Sequence, residues 1–255
     1  MFNETNFQKK INFSPYFPLR HEPQIKILEK FDEILKGETE HDYMSIAAGV
    51  RLGKSAICGY IAARELSKNI INLLDKNSKP EKPVHIWIVA PTYDLAGKVF
   101  EYAAKFYQAS LPSLSKYISF RIPQIIKLPF GPRIECKSGE NPESLLGEEV
   151  DLAIVDECSR LKKMIWESYL FQRLGSRRGK AIRISTPFGR NWFYEEWLKD
   201  KGYGTGFSFK TCDNPYFPRD KYDEARRILP PDVFSQEYEG EFLADAARVF
   251  RNIRN

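Results

Sequence analysis

The sequence is poor in the residues that cross-link small proteins or bind soft metals. Four cysteines and three histidines are spread over 255 residues. Cys58, Cys136, Cys158 and Cys212 form no C-x-x-C pair, and the histidines do not cluster. This argues against a disulfide framework and a zinc site, and for reduced, buried thiols. No apolar run approaches the roughly 18 residues that a membrane span needs. The opening "MFNETNFQKKINF" lacks the apolar core of a signal peptide. A cytosolic protein without a membrane role is therefore expected. Internal repeats and low-complexity tracts are also missing. Charge is not lopsided either: a net +5 and a pI near 8.9 permit a polyanionic partner without demanding one.

What is present suits a globular chain. Hydrophobic residues make up 42%, enough for one large domain or one domain with a small appendage. "EPQIKILEKFDEIL" places its apolar residues at helical spacing, with Pro23 in the first turn. "YMSIAA" is a short apolar run leading into a glycine loop, and "SAICGYIAAREL" after it reads as a helix. "KNSKPEKP" is a polar loop. "VHIWIVA" and "VDLAIVDE" read as strands of a parallel sheet buried on both faces. "YDLAGKVFEYAAKFY" and "NWFYEEWLKD" read as helices, "KAIRIST" and "TGFSFKT" as strands. Residues 121–137 alternate between proline or glycine breaks, which predicts a hairpin-like β region. Strands alternating with helices predict an α/β fold with a mainly parallel sheet flanked by helices. After Cys212 the texture turns to prolines and helical segments. The expected organisation is a core over 1–212 and a small helical lid or linker over 213–255.

Three motifs carry chemistry. "AAGVRLGKSA" contains the end of the phosphate-loop pattern G-x-x-x-x-G-K-[ST], with Ala48 where its first glycine would stand. Gly49 and Gly53 keep the loop flexible, Lys54 is placed to reach the β- and γ-phosphates, and Ser55 to hold Mg²⁺. In "LAIVDE", Asp156 and Glu157 end an apolar strand. Paired acids there suit phosphoryl hydrolysis, one holding the metal and the other activating water. In "ISTPFG", Ser185 and Thr186 end a later strand, where small hydroxyls can sense a γ-phosphate or simply finish the strand. The loop and the acid pair together predict ATP hydrolysis.

With these residues in view, the chain resembles the ATPase part of the large terminase subunit, the DNA-packaging motor of tailed bacteriophages. "AAGVRLGKSA" is similar to that family's deviant phosphate loop, and "IVAPTYDLA" to the block after it. "LAIVDEC", "RISTPFGRNWFYEEW", "TCDNPYF" and "SQEYEGEFL" resemble its acid motif, coupling motif and late markers. The resemblance implies an ASCE-type P-loop NTPase, whose catalytic glutamate follows the acid strand. It implies that Lys54 and Ser55 bind phosphate and Mg²⁺, that Asp156 helps hold the metal, and that Glu157 is the catalytic carboxylate. It makes Ser185 and Thr186 the coupling motif and Gln24 the adenine-recognising residue. The function so implied is ATP-driven movement of double-stranded DNA into a viral procapsid in the host cytoplasm. A homo-oligomeric ring, a portal protein and a small terminase subunit would be the partners.

Two departures stand out. Many relatives carry an arginine where this chain has Leu146. Arg51, inside the loop, is then one candidate for charge stabilisation within the subunit, and Arg160, Arg173, Arg177 and Arg178 are others. Large subunits also continue into a nuclease domain; this chain stops where that domain would begin, so no DNA cleavage is expected of it. The basic stretch "QRLGSRRGKA", with Arg173, Arg177, Arg178 and Lys180, is either a DNA-phosphate contact or a solvated turn. Two other readings compete: a fragment of a superfamily-two helicase-like motor, and a nucleotide-binding interaction module that does not hydrolyse.

Overall fold

The computed structural model describes residues 21–74, 82–129 and 131–244. The opening segment, most of "KNSKPEKP" and the chain beyond Ala244 lie outside the described residues.

The helices in chain order are α1 (Glu22–Lys36), α2 (Lys54–Leu74), α3 (Tyr93–Ser110), α4 (Phe171–Gly175), α5 (Trp192–Gly202), α6 (Arg219–Ile228) and α7 (Pro231–Glu237). The strands are β1 (Tyr43–Ala48), β2 (His85–Ala90), β3 (Ile118–Ser119), β4 (Ile125–Lys127), β5 (Arg133–Ser138), β6 (Leu152–Asp156), β7 (Lys180–Ser185) and β8 (Gly206–Phe209). Together they make an eight-stranded, mainly parallel sheet flanked by helices, as the alternating pattern predicts. The described residues form two compact units: 55–156 with 164–181, and 21–54 with 157–163 and 182–244.

In the first unit the strand order is β3-β4-β5-β2-β6. All six residues of β2 are buried, which is why "HIWIVA" is apolar without alternation. β2 runs parallel to both neighbours, with Ile88 opposite Cys136 on β5 and Ile154 on β6. The hairpin expected over 121–137 is present: β4 pairs antiparallel with β5, and β3 with β4. Helix α3 begins where the Thr92 side chain accepts the Leu95 amide at 3.3 Å. It buries Ala96, Val99, Phe100, Ala103 and Tyr107 at helical spacing.

In the second unit β1 runs parallel to β8 with Ile46 opposite Phe207. Helix α1 buries Ile27, Leu28, Phe31 and Ile34. A buried charge sits on β7: Arg183 is fully buried and donates to both Asp200 carboxylate oxygens at 2.8 and 2.7 Å. Its other terminal nitrogen reaches Glu196 at 2.5 Å, and His41 Nε2 lies 2.9 Å from Asp200. Burial alone would raise the Asp200 pKa, but the His41 hydrogen bond and the Arg183 charge outweigh it and hold it below the ordinary value. Among the described residues after Cys212 lie the short helices α6 and α7. Tyr222, Ala225 and Phe234 make a small apolar cluster there, with Phe217, Leu229 and Tyr238 packed on it.

Candidate functional site

The glycine loop joins the end of β1 to the start of α2, and its polar groups gather around Lys54. The Lys54 ammonium donates to the carbonyls of Ala48 at 2.8 Å and Gly49 at 2.9 Å, and to the Thr186 hydroxyl at 3.3 Å. The lysine expected to reach phosphate and half of the expected coupling motif thus meet in the second unit. A 21-residue helix begins at Lys54, and its first amides lie where an anion is favoured. Gly49 is not the residue that turns the loop: the left-handed positions are Arg51 at φ 62° and Gly53 at φ 88°. Gly49 is needed for space, since a Cβ there would come within 2.5 Å of Thr211 Oγ1. Arg51 is exposed.

In the first unit, the Ser55 hydroxyl donates to Asp156 Oδ2 at 3.3 Å. Asp156 is buried at the last position of β6. The next residue, Glu157, has φ 53° and ψ 42°, a left-handed conformation that a non-glycine residue adopts only against a cost. Observed strain of this kind gathers at functional positions. In the second unit, Glu157 Oε2 accepts from the Ser185 hydroxyl at 3.4 Å. Ser185 is in turn held by Ser159: the hydroxyls are 2.6 Å apart, and the Ser159 amide donates to Ser185 Oγ at 3.2 Å. Ser159 also donates to the Thr186 carbonyl at 2.8 Å, while Asn191 Nδ2 donates to the Ser159 carbonyl at 2.7 Å. The acid and the coupling hydroxyls therefore share one hydrogen-bonded network.

Gln24 is buried, and its amide donates to the Gly53 carbonyl at 3.1 Å. His21 Nε2 meets the Leu52 carbonyl at 2.9 Å; a carbonyl only accepts, so this nitrogen carries the proton. Burial lowers the His21 pKa and favours the neutral ring. The exposed Tyr216 ring lies 6.4 Å from His21, centroid to centroid. Ser159, Asn191 and His21 carry no signal in the sequence, because single polar residues without a spacing pattern point to no role.

The basic stretch belongs to the first unit. Arg177 is engaged with acids, reaching Asp151 at 2.6 Å and Glu149 at 3.1 Å. Arg178 is exposed in a left-handed conformation at φ 52°. The Arg173 carbonyl accepts the Val150 amide at 3.1 Å, and Lys180 opens β7, five positions before Ser185 ends it. Arg160 in the second unit stacks on Phe188 at 5.4 Å, and Leu146 is exposed.

One further cluster has metal-ligand residue types: His85, Glu135 and Glu148 in the first unit. Its carboxylates already face cations, Lys137 to Glu135 at 2.7 Å and Arg133 to Glu148 at 2.8 Å. The Trp87 indole donates to His85 Nε2 at 2.8 Å. Burial raises the Glu135 pKa, but the neighbouring His85 and the hydrogen bond and charge of Lys137 pull it down to about 2. This is an ion-pair network.

A mainly parallel sheet whose first strand runs into a G-K-S loop opening a helix, with acids ending a later strand, defines the P-loop NTPase class of α/β proteins. Within it, residues 45–254 match the family described as "Terminase large subunit, T4likevirus-type, N-terminal", and the chain belongs to that family. The large terminase subunit of Thermus virus P23-45 is 26% identical over 260 residues, covering 88% of this chain and 53% of that protein. The chain thus spans about half the length of the curated relatives it matches. The large terminase ATPase domain of Thermus phage P74-26 superposes with a TM-score of 0.66 at 24% identity, covering 88% of this chain and 94% of that one. A large terminase of a thermophilic bacteriophage in complex with ATP-γ-S superposes at 0.59 with 13% identity, over 88% of this chain and 53% of that one. These superpositions bear out the expected fold.

Proposed function

We propose that this chain is an ATPase and the motor part of a protein that drives double-stranded DNA into a viral procapsid. The observation that carries the reading is the contact between the Ser55 hydroxyl and the Asp156 carboxylate. It puts a loop hydroxyl and a strand-end acid within reach of one small ion. Both are hard oxygen donors of the kind Mg²⁺ takes, so the donor set fits, and these two residues would hold the ion. When bound, Mg²⁺ neutralises phosphate charge. Lys54, held beside the Ala48 and Gly49 carbonyls, binds the β- and γ-phosphates, and Gln24 recognises the adenine. Glu157 orients the attacking water and accepts its proton. Ser185 and Thr186 sense the γ-phosphate and pass its loss along the Ser159 network. Arg51 supplies positive charge to the transferring phosphoryl group in place of an arginine at the Leu146 position.

Family membership favours this reading over the helicase-like one, and relatives crystallised with ATP-γ-S or ADP support nucleotide binding. Double-stranded DNA is the macromolecular substrate, contacted through Arg173, Arg178 and Lys180, with Arg177 fixing the shape of that stretch. The portal protein and small terminase subunit dock a ring of these chains on the procapsid in the host cytoplasm. Residues 213–255 serve as lid or linker. The test is calorimetric titration with ATP-γ-S, with and without Mg²⁺. Mg²⁺ should tighten binding to the wild type but not to Ser55→Ala; equal tightening in both would contradict the metal assignment.

A further inference from the structure

The loop from Ala48 to Arg51 is held from outside by two late segments of the same unit. The Gly49 amide donates to the Phe209 carbonyl at 3.0 Å, and the Val50 amide to the Glu237 carbonyl at 2.7 Å. The Val50 carbonyl accepts the Thr211 hydroxyl at 2.7 Å, and the Arg51 carbonyl accepts the Asn214 side-chain amide at 2.8 Å. The Thr211 amide donates to the Tyr238 carbonyl at 2.7 Å, which ties the two gripping segments to each other. Thr211 is fully buried. Gly240 has φ 69°, and a Cβ there would stand 2.7 Å from the Phe209 carbonyl and 3.0 Å from the Gly49 amide nitrogen. The loop and its grip are therefore packed without room for one added carbon.

These contacts have a consequence for binding. A phosphate loop works by presenting backbone amides in one fixed arrangement, and ordering a free loop at the moment of binding weakens affinity. This loop has Ala48 where its pattern asks for glycine and holds the non-glycine Arg51 in a left-handed conformation. Neither feature favours the bound shape by itself. The two side-chain hydrogen bonds land on the carbonyls of Val50 and Arg51, on either side of the left-handed turn.

We propose that Thr211 and Asn214 are positioning residues for the phosphate loop, fixing its backbone in the triphosphate-binding shape from a segment remote in sequence. The inference rests on the nucleotide reading above. It assigns Thr211 and Asn214 to affinity, acting through the loop, and not to the chemical step.

The experiment measures ATP-γ-S affinity by calorimetry, with melting temperature and the KM and kcat for ATP, on the 255-residue chain. Thr211→Val keeps the shape of the side chain and removes the hydroxyl. It should weaken nucleotide binding and raise KM about tenfold while kcat holds, the scale of one lost buried hydrogen bond. Thr211→Ser should restore wild-type affinity, and Asn214→Ala, at a half-buried position, should weaken binding about threefold. Lys54→Ala separates this inference from its premise. Wild-type binding by Lys54→Ala overturns the nucleotide reading and the proposal with it. Loss of binding in Lys54→Ala together with unchanged affinity in a folded Thr211→Val overturns the proposal alone, as does a Thr211→Ser protein as weak as Thr211→Val. Where Thr211→Val does not fold, unchanged affinity in Asn214→Ala overturns it.

Discussion

Asp200 and Glu157 are two carboxylates of the second unit, each tied to β7, and the chain treats them in opposite ways. Asp200 is sealed: fully buried, with both oxygens held by one terminal nitrogen of Arg183 and one of them also by His41. Glu157 is half-buried, sits on a strained backbone and meets the hydroxyl of Ser185, two residues from Arg183. A carboxylate matched by a buried guanidinium cannot leave it without stranding a charge, so it contributes specificity of packing. A carboxylate held by a hydroxyl in a costly conformation is positioned for something other than stability. The contrast sets an acid that holds the packing apart from the acid that the proposed function assigns to the chemical step.

The largest way to break that contrast is on the sealed side. Asp200→Ala leaves the buried Arg183 with Glu196 as its remaining acid and should cost about 3 kcal/mol in urea denaturation, the low end for a broken buried pair. A loss below 1 kcal/mol would place the Arg183 network among dispensable ion pairs. The same pair sets an acid limit. Because the Asp200 pKa is lowered in the fold from its ordinary 3.8, its stabilisation is complete above that pH and fades as pH falls through the lower folded value. Unfolding between pH 5 and 2 should show this loss in the wild type and not in Asp200→Asn. On the chemical side, Ser159→Ala removes the hydroxyl that bridges Ser185 and the Thr186 carbonyl. It should lower kcat about tenfold, within the roughly 1–3 kcal/mol of a broken buried hydrogen bond, and leave KM unchanged. The smallest effect concerns the basic stretch. Arg178→Ala should reduce the salt dependence of DNA binding by a slope of about 1, whereas Arg177→Ala should act on stability through Asp151 and Glu149. Equal salt slopes for wild type and Arg178→Ala would return Arg178 to a solvated role.

Much of this was legible beforehand where the signal is local. "HIWIVA" and "LAIVD" read as buried strands because both faces are covered, and the G-K-S loop and acid pair stand at strand ends where a motif shows itself by order alone. The rest depends on contacts between distant residues. Arg183 sits inside the strand "KAIRIST", and only Asp200, 17 residues later, explains how it can be buried. The grip of Thr211 on Val50 joins residues 161 apart, and no spacing rule reaches that far. Glu157 follows a strand smoothly in sequence, so its left-handed turn had no sign. Gly49 looked like the flexible point of the loop, yet what it supplies is room for Thr211.

The central claim is that Glu157 is the acid of the chemical step. The most direct measurement is phosphate release from ATP by Glu157→Gln, with ATP-γ-S affinity determined on the same preparation. The account predicts turnover reduced about 10²–10⁴-fold with affinity kept; turnover at the wild-type rate would contradict it.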